Sequence, residues 1–136
     1  MIPFIRLHSA DDNSPAIFAV DKILDAAICE YEDRGNYTTL DFIEGDNEFA
    51  VNESIDKIFT LLKDSGFVRV HRKVDNTLAI FNIDGFIMAT VDEDKTNTIV
   101  LTNGIEIAVN ETPEKVYNLI RDAYNIKHGI VTPEKK

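Results

Sequence analysis

Four side chains suited to nucleic-acid chemistry stand close together: Arg69, His71, Arg72 and Lys73. An arginine can hold a guanine edge with two hydrogen bonds, and lysine or histidine can hold a backbone phosphate. The surrounding Phe67, Val68, Val70 and Val74 favour extended structure. Alternation along a strand puts Arg69, His71 and Lys73 on one face and the three valines on the other. Arg72 then falls on the apolar side unless the strand ends or bulges there. The same residues also suit a solvated strand face pairing with nearby Asp or Glu, and residue chemistry leaves both readings open.

Other candidates are weaker. Arg34-Gly35-Asn36 reads as a turn that also offers polar groups to a ligand. Asn110-Glu111-Thr112 precedes an apolar-periodic segment and reads first as a helix start. His8 and His128 lack partners at metal-ligand spacing. Cys29, the single cysteine, reads as a small core residue on an apolar strand. No Gly-rich phosphate loop, paired-histidine zinc motif or nucleophile elbow is present. The expectation is a chain without catalytic activity, cofactor or metal.

These residues must be positioned by a small fold. At 136 residues, with 44% hydrophobic and 28% charged, the composition is that of one soluble domain. No apolar run approaches the ~20 residues needed to cross a bilayer. The N-terminus shows no signal-peptide pattern. One cysteine makes no internal disulfide, and the simplest compartment is a reducing cytoplasm. The net charge of −10 disfavours non-specific polyanion binding without excluding a local basic patch.

The element pattern contains a repeat. Residues 50–62, beginning Ala50-Val51-Asn52-Glu53, return as residues 108–120, beginning Ala108-Val109-Asn110-Glu111. Apolar residues at 55, 58, 59 and 62, and again at 113, 116, 117 and 120, mark one buried helix face in each copy. Each copy follows two β-like segments, so the expected unit is a hairpin and then a helix, present twice. Ser54 and Thr112 are the expected N-caps, with Pro113 at the first helical position and Gly66 ending the first helix. Further strands are expected at 3–8, 16–20, 28–32, 67–74, 78–83 and 86–92, with 21–27 ambiguous. The fold class is mainly β with two packed helices, a β-rich α+β chain of about ten short strands. A single domain over 1–126 is followed by a loose tail at 127–136.

Read in order, the segments resemble the LytTR DNA-binding domain, an output domain of bacterial response regulators. The matching segments are Ile28-Cys29-Glu30-Tyr31-Glu32 with Gly35-Asn36-Tyr37-Thr38, Phe67-Val68-Arg69-Val70-His71-Arg72, Ile80-Phe81-Asn82-Ile83-Asp84, and Thr98–Gly104. Together they lie within about residues 4–122. The resemblance implies layered sheets and sequence-specific DNA contacts at Arg34, Asn36, Arg69, His71, Arg72 and Lys73. It departs from the family at Lys73, in about five extra residues before Asn82, and at Glu111, where the family has a basic residue. No receiver domain is expected upstream. The leading expectation is a stand-alone transcriptional regulator that binds DNA. The alternative is a non-catalytic structural or interaction protein, such as a virion or assembly component, with a homo-oligomer or another protein as partner. An inhibitor whose acidic surface engages a basic partner is a third option.

Overall fold

The computed structural model describes residues 3–31, 35–44, 48–93, 95, 97–103 and 105–130, with the backbone alone at 29–31, 35 and 36. The described residues form ten strands and two α-helices. The first seven elements are β1 (Phe4–His8), β2 (Pro15–Ala19), β3 (Ile23–Tyr31), β4 (Gly35–Phe42), β5 (Glu48–Val51), α1 (Ile55–Leu62) and β6 (Phe67–His71). The remaining five are β7 (Leu78–Asn82), β8 (Phe86–Val91), β9 (Thr98–Thr102), β10 (Ile105–Val109) and α2 (Pro113–Lys127). They build three antiparallel sheets, β1-β2, β5-β4-β3-β7-β6 and β10-β9-β8. The expected β-rich class is what the structure has. No helix among the described residues is long and apolar enough to cross a membrane.

The duplication is larger than a hairpin and a helix. The β1–β2 hairpin recurs as β6–β7, 63 residues on: Phe4/Phe67, Arg6/Arg69, His8/His71, Asp12/Asp75, Asn13/Asn76, Ile17/Ile80, Phe18/Phe81 and Asp21/Asp84. Each hairpin is followed by a 3-10 turn, Val20–Lys22 and Ile83–Gly85, which resolves the ambiguous segment after Val20 and starts β3 at Ile23 rather than Ile28. A register shift between Ile23 and Asp25 recurs between Phe86 and Met88. One unit therefore runs from β1 to α1 and the other from β6 to α2.

The units interlock through one strand pair. Strand β7 of the second unit lies against β3 of the first, with Asp25 opposite Phe81, Ala26 opposite Ile80 and Ala27 opposite Ala79. Alternation sends the two faces of β7 into different cores. Ala79 and Phe81 join the second unit's cluster with Val100, Val109 and Val116. Ile80, with Phe67, enters the first unit's cluster beside Ile23, Ala26, Ile55, Ile58 and Leu62. Helix α1 rests on β3, β6 and β7, whereas α2 rests on β6 and β8.

Both helices start at hydroxyl caps. Ser54 Oγ accepts from Lys57 N at 3.2 Å, and Thr112 Oγ1 accepts from Lys115 N at 3.2 Å, with Pro113 following. Thr112→Ala is expected to cost about 1 kcal/mol in chemical denaturation; unchanged stability would place the helix start elsewhere. The first helix closes through a 3-10 turn, Lys63–Ser65, into Gly66 at φ 86°, a left-handed position where glycine carries no Cβ penalty. Helix α2 continues through Lys127, whose Nζ pairs with Asp84 at 2.5 Å, so the domain takes in the first residue of the expected tail. Residues 131–136 of that tail lie outside the described residues.

Two packing expectations are corrected. Val74 does not line the β6 core face, because the strand ends at His71; it is exposed in the β6–β7 loop. Tyr117 is 62% exposed rather than buried, while its repeat counterpart Phe59 is half-buried beneath Arg69 of the other unit.

Candidate functional site

Three of the four basic residues of β6 and its loop have carboxylate partners within the chain. Arg69 projects from β6 onto α1, its guanidinium 4.8 Å from the Phe59 ring centroid and 3.6 Å from Asp56. His71 is bound twice by Glu111: its backbone N donates to Oε1 at 3.0 Å, and its Nδ1 meets Oε2 at 2.8 Å. Arg72 turns back on its own loop, donating from Nη2 to Asp75 Oδ2 at 2.7 Å and from Nε to Thr77 Oγ1 at 2.9 Å. The strand ends at His71, yet Arg72 bridges Val109 and keeps the side that alternation gives it, lining a cavity with Ala27, Ala79 and Ile107 while its guanidinium reaches Asp75. Lys73 is exposed and uses its backbone N to reach Ala108 O at 2.8 Å. Arg34 lies outside the described residues. Asn36 is described by its backbone alone, on β4 opposite Glu30.

The first unit builds the same bonds from the same residue types, with Ser9 and Ala10 where the second has Arg72 and Lys73. His8 N donates to Glu53 Oε1 at 2.9 Å and its Nδ1 meets Oε2 at 2.7 Å, as His71 does with Glu111. Asp12 accepts from Ser14 N and Oγ at 3.0 and 2.6 Å; Asp75 accepts from Thr77 N and Oγ1 at 3.1 and 2.6 Å. Asn13 and Asn76 both take left-handed backbone, φ 59° and 57°, which asparagine tolerates better than most residues. Asn52 and Asn110 reach across to them at 2.9 and 2.7 Å. These hydrogen bonds hold the Asp12 and Asp75 carboxyls below their usual range. Burial pushes Glu53 up, but the side-chain and backbone hydrogen bonds from His8 outweigh it and leave it lowered.

Comparison with protein-family models, curated proteins and solved structures returns no match for this chain.

The three regions that the LytTR resemblance implies lie toward one edge. The β6–β7 loop meets the β10–α2 connection through Asn76 and Asn110, and through Asn110 N donating to His71 O at 2.9 Å. Because β3 pairs antiparallel to β7 at Ala27 and Ala79, its onward run carries the β3–β4 hairpin toward the same edge. That edge mixes signs, with Arg72 and Lys73 beside Asp75, Glu106 and Glu111.

A second cluster had not been anticipated. Asp25 and Asp41 stand directly opposite on β3 and β4 and are hydrogen-bonded to each other. They line a cavity of about 320 Å³ with Arg72 on one side and Glu106 of β10 on another. Burial, then the hydrogen bond and charge of Asp41, push the Asp25 carboxyl up to about 8. Such a pair can hold one proton between two carboxyls. The sequence signal was Asp25 itself, a lone acid in the apolar run Ile23-Leu24-Asp25-Ala26-Ala27-Ile28. The second unit has Met88 and Leu101 at these positions, so the fold does not require the acids. No group of three or more metal-ligating side chains occurs among the described residues.

Proposed function

We propose that this chain is a non-catalytic interaction or assembly protein. The observation that carries the reading is the repeat: the Phe-Xaa-Arg-Xaa-His segment of β6 occurs also in β1, and in both copies its histidine serves an internal glutamate bond. The segment is thereby accounted for as hairpin architecture. Arg69, His71 and Arg72 each have a carboxylate partner, which a phosphate would have to displace against a net charge of −10.

A DNA-binding role of the LytTR type is the second reading. The gathering of the β6–β7 loop and the β10–α2 connection on one edge, with Arg72 and exposed Lys73, favours it. Selection from a random duplex pool at low salt separates the two. The interaction reading expects no enriched sequence. An enriched site that loses affinity on Lys73→Ala, with the slope of log K against log salt reduced by about one, would overturn it.

A further inference from the structure

The join between the two units is heterologous, so it uses one donor hairpin and one acceptor groove and leaves one of each. Within the chain the donor is β6–β7. Its Ile80 and Phe67, 0% and 2% exposed, fill the first unit's groove between β3 and α1. Arg69 closes the contact over Phe59 and Asp56.

The second unit has the same groove, uncovered by any of the described residues. A cleft of about 350 Å³ runs between β8 and α2, lined by Phe86, Met88, Ala89, Val116, Tyr117 and Ile120. Their repeat counterparts are Ile23, Asp25, Ala26, Ile58, Phe59 and Leu62, most of them buried under Ile80 and Phe67. Among the described residues, strand β8 pairs with β9 and its other edge carries no strand. In the β1-β2 sheet, β2 likewise pairs only with β1 among the described residues. The β1–β2 hairpin presents Phe4 and Ile17, the counterparts of Phe67 and Ile80, at 57% and 72% exposure. The polar closure is preserved as well: Arg6 stands for Arg69, Glu114 for Asp56 and Tyr117 for Phe59, and all three are exposed.

Resting on the interaction reading above, we propose that the chain self-associates head to tail, β2 of one copy adding to that edge of β8 in the next. Ile17 and Phe4 enter the β8–α2 groove, and Arg6 meets Glu114 and Tyr117. Transferring the internal register puts Met88 opposite Phe18, Ala89 opposite Ile17 and Thr90 opposite Ala16. Pro15, which has no N–H to donate, falls just outside that ladder. Each added copy brings a new donor and a new acceptor, so growth ends in a closed ring or continues as a filament. Besides Met88 for Asp25 and Thr90 for Ala27 on the receiving strand, one close approach differs. Gly85 leaves room for Leu24, whereas its counterpart Lys22 must be accommodated by Ile87. Lys22→Gly should therefore tighten the association. Copies carrying −10 repel one another, so added salt should strengthen assembly, the opposite of its effect on DNA binding.

The test is sedimentation of the full chain from about 10 µM to about 1 mM, at low and high salt. Wild type is expected to grow with concentration beyond 15.3 kDa. Ile17→Asp removes the donor and Ala89→Asp the acceptor, and each should weaken association about tenfold or more. Circular dichroism checks that both variants keep the fold. Mixed, the two variants should form a capped one-to-one pair, since each retains the half that the other lacks. Three results overturn the proposal: a wild-type chain monomeric to the top concentration, assembly indifferent to Ile17→Asp, or variants that fail to pair when mixed. The duplex selection tests the interaction reading separately. A monomer that enriches no DNA site would leave that reading standing with a different partner.

Discussion

Asp25→Asn is expected to stabilise the folded chain at pH 8 and to change it least near pH 4. The Asp25 carboxyl is pushed up to about 8 by burial and by Asp41, whereas in an unfolded chain aspartate ionises near ~3.9. Below pH 4 both states keep the proton. Above it the unfolded chain releases the proton while the folded chain retains it, so ionisation favours unfolding by about 1.4 kcal/mol per pH unit. The loss continues until the folded carboxyl ionises near pH 8 and then levels off. Its ceiling over that window is on the order of 5 kcal/mol. Arg72 and Glu106 line the same cavity. Asparagine can still donate to Asp41 and has no proton to lose. Urea titrations between pH 5 and 8 should show wild-type stability falling steadily relative to the Asn variant, which keeps every other titrating group. A wild-type curve that does not fall relative to the variant would mean the carboxyls hold no shared proton.

Much of this molecule could be read from its residues, and the omissions have identifiable causes. The hydroxyl caps, the Gly66 stop and the final hairpin follow from local chemistry, and the structure has them where the sequence puts them. The β1–β6 relation was equally visible, since Phe, Arg, His, Asp-Asn and Ala-Ile-Phe recur in order. The change in spacing from 63 to 58 residues separates it from the more obvious helix repeat. The roles of the basic cluster were not legible, because Glu111 and Asp56 reach His71 and Arg69 only through long-range folding. Periodicity put Tyr117 on a buried face, and it is exposed. Periodicity could not show that the hairpin covering Phe59 has no counterpart over Tyr117 among the described residues.

Ile80→Ala is expected to cost about 2–5 kcal/mol, and Ile17→Ala, the same change at the same repeat position, less than about 0.5 kcal/mol in the dilute chain. Ile80 is fully buried among Ile23, Ala26, Ile58 and Leu62, so truncation leaves a cavity where two units meet. Ile17 is mostly in water and leaves none. Intrinsic β-propensity and strand position are closely matched between the two sites, so the difference isolates what the covering groove contributes. Denaturant titrations at low protein concentration read both values. At high concentration the wild type should gain stability by mass action if copies associate, and Ile17→Ala should forfeit most of that gain while Ile80→Ala costs the same as before. Equal costs at the two sites in dilute solution would mean that β7 does not seal the units together. An Ile17→Ala cost independent of concentration would leave the exposed hairpin without the role assigned to it.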